Sequence, residues 1–176
     1  MNRIPTHTVE SAPEGARPFL QQIAQQSPTG KPLNLHAQMA HAPAVLAAYS
    51  ALRAVFPAHA KLEPKIGWAL NLATAAVVGN GYMIGIASRF ALMNGLTEKQ
   101  VAALRAGAST GEAKLDALTE VVKEAAADSG NVSDDTWNAA LQAGWSDEQL
   151  AEAFAYLGLT LFTGYFLNYA QTDADV

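Results

Sequence analysis

Asn80, Tyr82, Ser88 and Arg89 are the residues of this chain whose types and closeness would allow chemistry. They stand on and just after Gly79-Asn80-Gly81, the one break in a run from Ile66 to Ser88 that carries no charged side chain. Asn80 and Tyr82 offer hydrogen bonds at the mouth of the following helix, where the first backbone amides have no helical partner. Asn80 serves equally as a turn residue between two glycines. Arg89 ends the uncharged run, so its guanidinium either extends to solvent or points into a pocket, where it would clamp a carboxylate. Ser88 is a weaker candidate, because no nucleophile-elbow pattern surrounds it. Trp68 and Tyr165 fit a core or the lining of a pocket.

The four histidines, His7, His36, His41 and His59, all lie upstream of that break. His36 and His41 are not at the i, i+4 spacing that sets two imidazoles on one helical face, and no carboxylate is near in sequence to complete a ligand set. No metal site is expected. His41, just before Pro43, fits a capping or packing role, with proton transfer as the alternative.

Composition removes whole classes of function. The 176 residues contain no cysteine, which excludes disulfides, thiolate metal sites, thiol peroxidase chemistry and a cysteine nucleophile. With 11 basic and 16 acidic side chains the formal charge is -5, and no basic cluster suggests nucleic acid or an anionic membrane surface as a partner. Half of the residues are hydrophobic, enough for a core without staples. Met1 to Gly30 is rich in Pro, Gln, Ser and Thr and lacks the basic head and apolar stretch of a signal peptide. Ile66 to Ser88 and Ala153 to Ala170 are long uncharged windows, but the first is split by Gly-Asn-Gly and the second carries polar residues throughout. A cytoplasmic protein that does not enter a membrane is the expectation.

The elements that must position these residues follow from periodicity and punctuation. Residues 1–32 form an irregular leader with one short helix, Pro18 to Gln26, and residues 33–176 form a single helical domain. Leu33 to Ala40 precedes a helix that opens at Pro43 and is expected to stop at Phe56-Pro57. Glu63-Pro64 opens the central helix, whose Trp68, Leu70, Leu72, Val77 and Val78 are spread all round it, as in a helix enclosed by others. Tyr82 to Met93 follows the glycine-rich corner, and Asn94-Gly95 stops it. Thr97-Glu98-Lys99-Gln100 is a capping box for a helix ending at Arg105. Glu112 to Ala127 buries Leu115, Leu118, Val121 and Val122. Ser133 caps Asp134 to Ala143, and Gly144-Trp145-Ser146-Asp147-Glu148-Gln149-Leu150 repeats the design of Gly95 to Val101, which predicts two related helical hairpins. A long apolar helix closes the chain. No stretch alternates at period two, so the fold class is all-α.

This order of motifs resembles the carboxymuconolactone decarboxylase and alkylhydroperoxidase D-like superfamily. The resemblance rests on Met39-Ala40-His41-Ala42-Pro43-Ala44-Val45-Leu46, on the helix, Asn80-Gly81 break and second helix, on Asn94 to Val101, and on Gly130-Asn131-Val132-Ser133, Ala143-Gly144-Trp145-Ser146 and Thr163-Gly164-Tyr165-Phe166. It runs from about Leu33 to the C-terminus. The resemblance implies a helical bundle that assembles as a trimer or hexamer. In redox members it also implies a glutamate on the first central helix, Cys-x-x-Cys at the mouth of the second and a histidine soon after, relaying a proton to a thiolate.

This chain departs from that pattern at each chemical position. Counting back from Gly95 sets Asn80, Met83 and Ala87 where the motif residues would stand, and counting forward from Asn80-Gly81 sets Tyr82, Gly85 and Arg89 there. Neither register restores a thiol, an acid or an imidazole. Where relatives show Asn-Tyr-x-Asn-His, the chain has Gly164-Tyr165-Phe166-Leu167-Asn168. The expectation is therefore a diverged, redox-inactive member that binds a small, mostly apolar molecule between the two central helices, without a cofactor. Two other readings stay open. One is a cofactor-free decarboxylase, lactone hydrolase or isomerase in which Arg89 holds a carboxylate and Tyr82 or a histidine such as His41 moves a proton. The other is a structural or assembly subunit.

Overall fold

The computed structural model describes residues 2–27 and 29–175. Among them there is no strand. A 3-10 turn at Glu14–Ala16 leads into α1 (Arg17–Gln26), α2 (Asn34–Met39), α3 (Pro43–His59), α4 (Pro64–Val78), α5 (Gly81–Met93), α6 (Glu98–Arg105), α7 (Ala113–Ala127), α8 (Asp134–Gln142) and α9 (Asp147–Ala170). The chain divides into two compact units, one made of Met1–Ala58 with Tyr165–Val176, the other of His59–Gly164.

The first unit is built around α2, in which every residue from Leu35 to Met39 is buried. Residues 2–13 are non-helical and lie along α2 as a strap. His7 N–H donates to the Ala37 carbonyl at 3.0 Å, and the Gln38 side-chain amide donates to the Ile4 carbonyl at 2.9 Å. The Thr172 hydroxyl donates to the Gln38 side-chain oxygen, and the Asn34 N–H donates to Asp175 Oδ2 at 2.8 Å. α3 corrects the expected stop at Phe56-Pro57, because the helix continues to His59 with Pro57 inside it. Pro57 falls in the last turn, where its missing N–H leaves only the Arg53 carbonyl without a helical donor. Only Leu46 and Tyr49 of α3 are buried, although the helix is mostly Ala, Val and Leu.

The second unit is organised by α4 and what packs on it. Gly79 ends α4 in the left-handed region at φ 71°, and Asn80 caps α5 by accepting the Met83 N–H at 2.9 Å. The two helices turn back on each other, so that Trp68 stacks on Phe90 with ring centroids 4.6 Å apart and planes 12° apart. α4 and α9 run in the same direction. Gly67 faces Tyr156, Asn71 faces Thr160 and Val78 faces Gly164. A Cβ at Gly67 would lie 2.4 Å from Tyr156 Cε1, so glycine is what lets the phenol ring seat against α4. Leu115, Leu118, Val121 and Val122 of α7 are buried, as their spacing predicts.

The repeated stop-and-cap design is present twice. Gly95 at φ 96° and Gly144 at φ 91° end their helices. The Thr97 hydroxyl then accepts the Gln100 N–H while the Gln100 side chain accepts the Thr97 N–H. Ser146 and Gln149 make the same reciprocal pair. Among the described residues one helix, α9, has the length and composition to cross a membrane, and 44% of its most apolar window is buried. Phe154, Tyr165 and Tyr169 along it are well exposed.

Candidate functional site

At the α4–α5 corner the structure brings together some of the residues that the sequence singles out. Asn80 spends its side-chain oxygen on the cap of α5. Two residues on, Tyr82 is buried near the start of α5. Trp68 is half-buried against Phe90, which makes it the wall of the hairpin rather than its centre. Ser88 Oγ is buried with no hydrogen-bond partner, and so is Thr74 Oγ1 on α4. A buried hydroxyl left unpaired costs roughly 1–3 kcal/mol, so the hairpin carries two unsatisfied polar groups.

Arg89 is exposed, the solvated alternative of the two that the sequence leaves open. Tyr165 is not core, being 58% exposed on α9. His41 belongs to the first unit, where its Nδ1 stands 3.0 Å from His7 Nε2.

Polar groups that sequence reasoning missed lie deeper on α4 and α9. Asn71 and Thr160 are both buried, and the Thr160 hydroxyl donates to Asn71 Oδ1 at 3.0 Å. Thr163, one turn on, donates to the Leu159 carbonyl. The signal for this seam was Asn71 inside an apolar run, where a lone amide needs a partner. Near the start of α9, burial first and the charge of Glu152 second push the Tyr156 phenol up to about 12. Glu152 itself accepts the backbone N–H groups of Lys61 and Leu62 at 2.8 and 3.1 Å.

The first unit holds the most strongly perturbed side chains. His36, on α2, is buried with its Nε2 3.1 Å from Tyr49 OH on α3, and Arg53 Nη1 donates to that same phenol oxygen at 3.4 Å. Arg53 also lies over the Tyr49 ring, 5.8 Å from its centroid. A guanidinium only donates, so the phenol oxygen accepts from Arg53 and also bonds His36 Nε2, which leaves the ring's Nδ1 to find its own partner. That Nδ1 is buried without a partner. Burial, and then the positive charge of Arg53, hold the His36 pKa down at about 3, so the ring is neutral across the physiological range. Burial raises the Tyr49 phenol. Nothing in the spacing of residues 36, 49 and 53 announces this chain of hydrogen bonds, since it depends on how α2 and α3 pack.

Among the described residues no three His, Asp or Glu side chains converge as a metal ligand set would. No protein-family model and no curated protein matches the chain. Solved structures do. The alkylhydroperoxidase AhpD core of an uncharacterized peroxidase-related protein from Ralstonia eutropha JMP134 aligns with a TM-score of 0.85 at 15% identity, over 99% of this chain and 92% of that one. A peroxidase-related protein from Silicibacter sp. TM1040 aligns at 0.79 and 11% identity, over 100% and 96%. The debrominase Bmp8, as a cysteine-to-alanine variant in complex with 2,3,4-tribromopyrrole, aligns at 0.78 and 13% identity, over 100% and 93%. At these identities the likeness is one of fold, and the fold of this chain is AhpD-like.

Proposed function

We propose that this chain uses an AhpD-like fold without thiol chemistry, to bind a small, mostly apolar molecule at the α4–α5 corner. The observation that carries the reading is the pairing of that fold, matched over 99% of the chain, with a sequence that holds no cysteine. A fold can persist while its site changes chemistry, because packing and site residues are separate requirements. At the corner the capped turn and the buried Tyr82 are in place, the Trp68–Phe90 stack stands toward the other end of the hairpin, and the unpaired hydroxyls of Thr74 and Ser88 between them offer hydrogen bonds to a ligand. A structural neighbour, Bmp8, is described in complex with a halogenated pyrrole, a small and mostly apolar molecule. The exposed position of Arg89 favours binding over a carboxylate clamp within one chain.

The same reading includes a cytoplasmic homo-oligomer, a trimer or hexamer, supported by the exposed apolar residues of α3 and α9. Titration with a panel of small aromatic heterocycles, beginning with a tribrominated pyrrole, tests the site by tryptophan fluorescence. Saturable quenching that Trp68→Leu abolishes is the expected result. Absence of saturable binding across the panel would remove the reading, as would peroxide consumption with a thiol reductant in metal-free protein.

A further inference from the structure

Residues 2–11 of the strap have no buried member, and Ala12 is the first residue to enter the core. Beneath the strap lies a cleft of about 490 Å³, lined by Thr6 to Ser11 on one side and by Gly30 to Pro32, Asn34 and Ala37 on the other. The strap is thus only partly buried, and hydrogen bonds tie it to α2. His7 is the most heavily tied point. Its backbone N–H reaches the Ala37 carbonyl, its Nδ1 lies 3.1 Å from the Ser11 carbonyl, and its Nε2 lies 3.0 Å from His41 Nδ1. The two imidazole planes lie 13° apart, with centroids 5.3 Å apart, so the rings meet edge to edge along that bond.

The tautomers follow from the acceptors. The Ser11 carbonyl accepts only, so the hydrogen of His7 is on Nδ1 and its Nε2 lone pair receives the His41 Nδ1–H. His41 Nε2 is then the open nitrogen of the pair. A first proton added there keeps the bond and makes it charge-assisted. A second proton, on His7 Nε2, removes the acceptor and sets two cations side by side.

We propose that the His7–His41 pair is an acid-released latch that holds the strap on α2, and that double protonation frees the strap. Few charges are placed to oppose this. Glu10 is on the strap and hydrogen-bonded to Thr8, and Lys31 lines the far side of the cleft. On α2 the one titratable group is His36, turned to Tyr49, and on α3 Arg53 is engaged with the same phenol. Arg17 of α1 donates to the Ala12 carbonyl, and Asp173 and Asp175 meet Asn2 and Asn34 through backbone and side-chain groups. Among the described residues no carboxylate bonds to either imidazole of the pair; the two rings bond to each other and to Ser11.

Amide hydrogen exchange of the full chain at about pH 7.5 and about pH 5, corrected for intrinsic rates, reads the latch directly. Protection of the His7 amide should fall about tenfold or more at the lower pH, while α4 amides keep theirs. His41→Gln should abolish the fall, because an amide can turn to donate to neutral His7 or accept from charged His7. His7→Gln, read at the neighbouring strap amides, should do the same. Unchanged protection in the parent chain overturns the proposal. So does an equal loss in His41→Gln, which would assign acid sensitivity to His36, and so does a parallel loss in α4, which would mean general unfolding.

Discussion

The α4–α5 corner and the α2–α3 contact solve the same problem, polar groups inside an apolar bundle, by different means. At the corner the polar work is done by backbone geometry and neutral side chains: a left-handed glycine, an asparagine cap, an Asn71–Thr160 pair and hydroxyls. Between α2 and α3 it is done by titratable groups locked to one another, with a neutral histidine held by a phenol that is held by a guanidinium. The first arrangement is indifferent to pH and sensitive to shape. The second is sensitive to pH. The corner is thus electrostatically quiet in this chain, and the most strongly perturbed side chain, His36, lies in the other unit.

The largest effect expected is acid weakening of the first unit through His36. The unfolded chain takes up the proton near 6.5 and the folded chain only near 3, so stability is full above pH 6.5 and falls steadily as pH drops from 6.5 to 3. At about 1.4 kcal/mol per unit the loss is on the order of 5 kcal/mol. Denaturant titrations across that range should show it, and His36→Phe should flatten the slope whatever it does to stability at neutral pH. A parent chain with no such slope would break the comparison.

Next comes shape at α4. Gly67→Val must displace the Tyr156 ring and should cost about 2–3 kcal/mol, equally at pH 7 and pH 5. Adding Tyr156→Ala should recover part of that loss, as coupled neighbours do. The smallest effects belong to the corner itself. Asn80→Ala removes the cap of α5 and should cost about 1 kcal/mol, whereas Arg89→Ala should stay within about 0.5 kcal/mol by thermal denaturation. A larger loss at Arg89 would sharpen the picture by revealing a contact made in an assembly.

Most of the fold was legible because its punctuation is local. Gly79, Gly95 and Gly144 adopt positive φ where the spacing called for a stop, and Thr97 with Gln100 and Ser146 with Gln149 close their boxes using atoms three residues apart. Pro57 misled because proline is excluded from helix interiors but tolerated in a final turn that has little left to break. The candidate site was legible only in part. Asn80 and Tyr82 stand at the corner as read, but exposure decided against Tyr165 as core and put Arg89 in solvent.

By itself, the sequence determined that the chain is helical, where most of its helices start and stop, and that no thiol exists for redox work, since these depend on residue type and near-neighbour spacing. Tertiary structure alone decided that His36 meets Tyr49, that His7 meets His41 and that Asn71 meets Thr160. Those partners are 13, 34 and 89 residues apart. Which distant side chains share a low-dielectric site, and hence which protons they hold, is set by packing between elements and leaves no local trace.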